Sequence, residues 1–447
     1  MSKPPIRHGH RPRQRRSTTS RRWHVSLAPK RDPAVPEPAM EGTPILEESP
    51  GDLGVLLWQS YRDVVLWGDS EPEHRTQLFA PGSLERREAL IRGSNLVGEV
   101  RVAIELLTAA LRESPPSKPA EIVYCCSRVA EWAAAAGKRY TAFAMALAAA
   151  GLEPNDAAIA LRVGQYAASG RLFIAAEAWF RRVVGLGRRA RDYASYADAW
   201  VELGRVCAAR AALRPPTSLT IEIDPAQASI EEVNRHLDPR ISPEIHSGAD
   251  HAARARQCFI TAARTARRHG MRTTGGEAYH ELFLLAFAAG HFGIADRYAK
   301  KALRLLGKHH SRNPSLRHAY ASLMLRHSEN VVAAIQMLEA VLPSRRTTPE
   351  RIETLLLLVE AAGRAKDEER FQKGWYDALS TIERLGESPA AARHLLSLAQ
   401  VGMELGEETR AIHAARRAFS LAAHVRDHGL KDEVETFLAR PRPGRAA

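Results

Sequence analysis

Between residues 84 and 425 one helix–turn–helix pattern returns repeatedly, at a period of ~34 residues. The clearest copy is AEWAAAAGKRYTAFAMALAAAGLEPNDA at 130–157: an apolar helix, Gly137 in a turn, a second helix, then Pro154. With Val123 as position 1, Ala130 falls at 8, Gly137 at 15, Ala142 at 20, Ala146 at 24, Ala149 at 27 and Pro154 at 32. Counting from Leu84 puts Gly98 at 15, Ala103 at 20, Leu107 at 24, Ala110 at 27 and Pro115 at 32. From Ala157, Val163 and Gly164 take 7 and 8, Ala176 and Phe180 take 20 and 24, and Val183 replaces the small residue at 27. From Gly276, Tyr279, Leu282, Gly290, Ala295 and Ala302 fall at 4, 7, 15, 20 and 27. From Ala392, Leu398, Gly406, Ala411 and Ala418 fall at 7, 15, 20 and 27. Weaker copies start at Pro314 (Ala321, Ala333, Met337, Ala340) and at Pro349, where Gly363 fits but the second helix does not. The physical reason for such a frame is steric. Two antiparallel helices approach closely only where small residues meet, and a proline stops the second helix before the next unit begins.

One copy is split. In WVELGRVCAAR at 200–210, Trp200, Leu203 and Gly204 hold positions 4, 7 and 8 of a first helix. The matching second helix, with Ala255, Phe259 and Ala262 at the 20, 24, 27 spacing, arrives only in HAARARQCFITAARTA at 251–266. The unit 197–267 is therefore whole but interrupted by an insertion at 211–249. In that insertion TSLTIEID alternates like a short strand, and Ser229 with Glu232 forms a capping box before EEVNRHL. Such insertions often sit on a binding face. Ile221, Glu222, Ile223 and Asp224 are its candidates for a specificity element or lid; the plainer reading is a passive excursion.

This frame resembles the tetratricopeptide repeat, whose second helix carries a spaced Ala, aromatic and Ala pattern. The resemblance implies an all-α fold: a right-handed superhelical α-solenoid of antiparallel helix pairs, about eight units, near 84–117, 123–156, 157–190, 197–267, 276–309, 314–347, 349–382 and 392–425. It also implies that positions 2, 5, 9, 12 and 13 of the first helices line a concave groove that holds an extended peptide or a helix of a partner. Here those positions give Leu161, Gln165, Val201, Arg205, His280, Leu284, Phe287, His318, Ser322 and Arg326. The family's chaperone-tail clamp needs Lys and Asn at positions 5 and 9. Leu161 with Gln165, and Val201 with Arg205, stand there instead, so that particular role is not expected.

Charge separates the chain into a tail and a body. The formal net charge is +13. Residues 1–31 hold ten of the basic residues and no acid, leaving only +3 on the rest. The first 51 residues, rich in proline and like charges, read as a disordered basic tail. From 52 to 83 a capping helix and linker are expected, because Leu53, Leu56, Leu57, Tyr61, Val64 and Val65 recur at helical spacing. Residues 426–447 read as a C-terminal cap and tail. The arginine tail offers a route to nucleic acid, but the near-neutral body counts against a phosphate-tracking solenoid. Arg181-Arg182, Lys300-Lys301 and Arg416-Arg417 recur at positions 25–26. With no aromatics between them, they read as solvated faces rather than a nucleic-acid ridge.

Catalytic patterns are missing. The nearest approach to a P-loop, AAAAGKRY, lacks its first glycine and its hydroxyl residue, and His280-Glu281 is followed by Leu282, Phe283 and Leu284 rather than by a second metal-binding histidine. His309-His310 reads as a surface pair. Four cysteines in this length make no disulfide framework, and Cys125, Cys126, Cys207 and Cys258 read as buried thiols. No stretch is long and apolar enough to span a membrane. The expectation is a bacterial, cytoplasmic, non-catalytic scaffold with no metal and no cofactor, binding a protein or peptide partner. Its alternatives are a regulator held on nucleic acid by the 1–31 tail and a sensor of a small peptide signal.

Overall fold

The computed structural model describes residues 43–75, 78–79, 82–93, 98–112, 118–213, 248–327, 330–345 and 347–439. Among the described residues there are nineteen α-helices and no strand. Two helices lead, α1 (Thr43–Glu48) and α2 (Asp52–Asp69), followed by the pair α3 (Ser83–Gly93) and α4 (Glu99–Arg112). Then come α5 (Pro119–Ala135) with α6 (Arg139–Leu152), α7 (Ala157–Ser169) with α8 (Phe173–Ala190), and α9 (Tyr193–Leu213) with α10 (Gly248–Arg268). The run continues with α11 (Arg272–Ala288) and α12 (Phe292–Leu305), then α13 (Asn313–His327) and α14 (Val331–Val341). It finishes with α15 (Thr348–Arg364) and α16 (Glu368–Glu383), α17 (Pro389–Glu404) and α18 (Glu408–His424), and a last helix α19 (His428–Ala439).

Among the described residues the fold is an all-α, tetratricopeptide-like solenoid of eight antiparallel pairs. Each helix packs on the next one in sequence, and successive first helices from α7 to α17 also touch directly, more closely than successive second helices do. That asymmetry puts the first helices on the inner side of the curve.

The turn inside five of the pairs is built the same way. At α5 the amide of Lys138 donates to the carbonyl of Ala133 at 2.8 Å and that of Gly137 to Ala134 at 3.1 Å, which satisfies the helix's last carbonyls. This Schellman cap demands a left-handed residue, and Gly137 supplies it with φ 76°. Gly290 and Gly406 repeat the arrangement, and Arg171 does so at the cost of a Cβ in that region (φ 61°). Helix starts are capped by side chains: Asp156 accepts from Ala158 and Ile159, and Thr347 and Ser388 accept from the amides three residues on.

Close approach explains the small residues at position 8. A Cβ on Gly204 would stand 2.4 Å from the ring of Phe259, and one on Gly164 would stand 2.5 Å from that of Phe180. Both rings are completely buried. Position 8 is thus a socket for the aromatic at position 24.

Two weak copies are out of register with the counted frame. In α15 the left-handed turn residue is Lys366, not Gly363; the helix simply runs three residues further. Counted from Ile352, positions 20, 24 and 27 become Phe371, Trp375 and Ala378, all buried, which is why the second helix did not fit a start at Pro349. Gly363 lies inside α15 and meets Leu405, whose Cδ1 would be 2.4 Å from an added Cβ. In α14 the slip is one residue. Ala334, Leu338 and Val341 are buried, whereas Ala333 and Met337 are half-buried and Ala340 is exposed.

The tail reading also needs correction at its end. Thr43–Glu48 is helical, with Ile45 completely buried. The Glu48 carboxylate accepts from the amides of Tyr140 and Thr141 at 2.7 and 2.8 Å, occupying the N-terminus of α6. At the other end, α19 lays Leu430, Val434 and Phe437 against the last pair. Residues 1–31 and Ile221, Glu222, Ile223 and Asp224 lie outside the described residues, as does the expected strand at 217–224.

Candidate partner-binding groove

The inner face is built from first-helix side chains, and over its N-terminal half they bind one another. Glu131 on α5 meets Arg162 on α7 at 3.1 Å, and Gln165 on α7 reaches Glu202 on α9 at 3.5 Å. Arg205 on α9 then holds three carboxylates: Glu202 at 2.8 Å, Glu277 at 2.6 Å and Glu281 at 2.8 Å, the last two on α11. Arg312, just ahead of α13, reaches Glu281 at 2.8 Å, and His310 lies 3.4 Å from Glu277. Burial pushes the Glu277 carboxyl up, but the Arg205 guanidinium, with help from Arg312 and His310, outweighs it and the net shift is downward. This cluster joins the split unit to its successor. It is a knot of ion pairs, with little capacity left for a ligand.

The sequence-derived groove residues fall into three groups. Val201 and His280 are buried, at 2% and 4% exposure, beneath the surface rather than on it. Burial also lowers the His280 pKa, keeping the ring neutral. Gln165, Arg205 and His318 are engaged with neighbouring helices. His318 Nδ1 lies 3.2 Å from Thr354 Oγ1 on α15; because that hydroxyl donates to the Glu350 carbonyl, the imidazole N–H is the donor to it. Burial, and then the charge of Arg345, lower its pKa to about 4. Leu161, Phe287 and Ser322 are half-buried, whereas Leu284 and Arg326 are exposed.

Ser322 and Arg326 open into a cleft of about 350 Å³ that spans three successive first helices. Helix α13 supplies Ser322, Leu325 and Arg326; α15 supplies Leu357, Glu360 and Arg364; α17 supplies Ser397, Gln400, Val401 and Glu404. Leu325, buried at 6% exposure, forms part of the floor. Arg364 pairs with Glu360 at 2.6 Å and donates to the Leu325 carbonyl, locking α15 to α13. Arg326 lies 5.5 Å over the Phe287 ring. The residues on α15 were missed because the unit at Pro349 was counted three residues early; Gln400 and Glu404 on α17 already stood at positions 9 and 13 of the frame from Ala392. In the corrected frame, positions 9 and 13 read Ser322 and Arg326, then Glu360 and Arg364, then Gln400 and Glu404.

Other candidate chemistry is absorbed by structure. Arg181 pairs with Glu177 and Arg182 donates to the Pro154 carbonyl at 2.7 Å. Lys300 meets Asp296 at 2.9 Å, Lys301 stands over Tyr279, and Arg417 meets Glu383 at 2.7 Å. All four cysteines are free and buried. Cys207 and Cys258 meet inside the split unit, where the Cys258 thiol donates to Cys207 sulfur; that bond raises Cys258 and holds Cys207 down. Among the described residues no group of His, Cys, Asp and Glu could hold a metal ion, and no helix is long and apolar enough to cross a membrane.

No protein-family model matches the sequence, and no curated protein matches it. Solved structures with similar folds include Pseudomonas aeruginosa PilF, 15% identical, covering 62% of this chain and 97% of that chain with a TM-score of 0.39. A chain of the APC/C hetero-tetramer Cut9-Hcn1 is 14% identical over 86% of this chain and 63% of that chain, just under two thirds of its length, at a TM-score of 0.41. The Rap conjugation gene regulator of plasmid pLS20, in complex with a Phr peptide, is 11% identical over 87% of this chain and 99% of that chain, at a TM-score of 0.37. These are likenesses of helical-repeat shape. What makes the present chain a tetratricopeptide-like solenoid is its own set of helix pairs, turns and close contacts.

Proposed function

We propose that the protein is a non-catalytic interaction scaffold that holds an extended segment of a partner protein along the inner face of α13, α15 and α17. One observation carries this reading: the cleft crosses three successive units at equivalent positions, combining an apolar floor with hydroxyl and amide groups at its rim. An extended chain has that shape and that need. Its backbone amides and carbonyls seek partners such as Ser322, Ser397 and Gln400, while its side chains settle on Leu325, Leu357 and Val401. Preformed helices hold the surface ready, so little entropy is spent in ordering it.

The test is selection of displayed peptides on the full chain, followed by affinity measurement on Ser397→Trp, which sets an indole into the cleft from α17. Selected peptides are expected to bind the variant at least about tenfold more weakly, with its helicity by circular dichroism unchanged. Peptides that bind both proteins equally would place the partner surface elsewhere and end this reading.

A further inference from the structure

The cleft has a direction written in charge. Along the rest of the inner face the cations are spoken for: Arg162, Arg205 and Arg312 each hold a carboxylate of a neighbouring helix. In the cleft the middle helix is neutral as well, because Arg364 and Glu360 pair with each other. The two ends are not. Arg326 at the α13 end has no carboxylate partner among the described residues, and Glu404 at the α17 end has no cation partner. Both side chains are exposed. Arg326 is steered by its position over Phe287, a contact that leaves the guanidinium edges free to donate.

We infer that the cleft selects a peptide segment bearing one acidic and one basic side chain, with the acid at Arg326 and the base at Glu404. This rests on the reading of the cleft as a peptide site and adds which peptide it takes. The spacing follows from helix packing. Neighbouring first helices stand roughly 8–10 Å apart, so two steps cover roughly 16–20 Å, about five or six residues of extended chain. The inward reach of Arg326 and Glu404 shortens this, so the ligand's two charges sit about four to six residues apart. Between them the ligand is uncharged, because the Arg364–Glu360 pair offers no net charge to satisfy. A segment with two acids, or two bases, leaves a like charge facing one end and is rejected there.

The orientation rule gives the experiment its power. Peptides from the displayed library are compared on wild type, on Arg326→Glu, on Glu404→Arg and on the double variant carrying both. Wild type is expected to enrich one order of acid and base at that spacing. Each single reversal is expected to weaken those peptides by about tenfold or more. The double variant, whose field runs the other way, is expected to enrich the opposite order. Because both positions are exposed, circular dichroism and melting temperature serve as folding controls.

Two failures are distinct. If the selected peptides are lost on Ser397→Trp but carry no such charge pair, or ignore both reversals, the charge rule is wrong and the cleft remains a peptide site. If nothing selected is sensitive to Ser397→Trp, the peptide site and the charge rule fall together.

Discussion

Gly204 shows how one missing methyl group sets a helix–helix distance. With an added Cβ 2.4 Å from the Phe259 ring, Gly204→Ala forces α9 and α10 apart or pushes the ring off its rotamer. The expected cost is about 1–3 kcal/mol, read by urea denaturation, and Phe259→Leu in the same chain should recover part of it. Equal stability of Gly204→Ala and wild type would mean the socket is not tight. His318 supplies a pH signature. Its pKa near 4 in the folded chain lies below the ordinary 6.5, so the unfolded chain holds the extra proton between those values. Stability is therefore full above about pH 6.5 and falls as the pH drops toward 4. Between pH 7 and pH 4.5 the wild type should lose on the order of 2 kcal/mol more than His318→Gln does. Parallel curves for the two proteins would contradict the burial argument. Position 8 was legible in the sequence because a glycine facing an aromatic sixteen residues on has a steric meaning by itself in an unbroken unit, as Gly164 and Phe180 do. The tie of His318 to Thr354 was not, since it joins two units through a contact that no period encodes.

At the scale of helices, the split unit is the informative case. Leu213 ends α9 and Gly248 opens α10, yet the two pack along each other as every other pair does, with Phe259, Ala255 and Ala262 completely buried. The pairing energy thus comes from the two helices. Replacing 214–247 with a short glycine-rich turn should leave helicity and melting temperature close to wild type, measured by circular dichroism. A large loss of either would make the insertion part of the pair. The frame located both halves across the gap because small residues keep their spacing inside each helix. It failed at α15 and α14 for the complementary reason: a helix that runs three residues longer, or begins one later, keeps its own periodicity while losing phase with the repeat. Lys366 could take over the turn because the Schellman hydrogen bonds, Lys366 to Gly363 and Asp367 to Ala362, are backbone bonds that any residue able to reach positive φ can make.

In the whole molecule, stability is a sum of units and of interfaces between neighbours. The Arg205 cluster is one such interface, tying α9 to α11 through side chains exposed by no more than 23%. Arg205→Met leaves Glu202, Glu277 and Glu281 facing each other with only Arg312 and His310 to compensate. The expected loss is about 2–4 kcal/mol, and urea unfolding should split into two transitions as the N-terminal and C-terminal blocks uncouple. A single transition of unchanged midpoint would show that the cluster does not couple them. The sequence by itself determined the architecture: a repeat of small residues, turn glycines and apolar stripes allows only stacked antiparallel helix pairs, and those signals act within about 34 residues of one another. The tertiary structure decided which inner-face residues are free. Whether Arg205 or Arg326 has a carboxylate beside it depends on the rotation and rise between units. Those are set by how whole helices nest, so a side chain's partner lies on another unit, at a distance along the chain that the repeat does not specify.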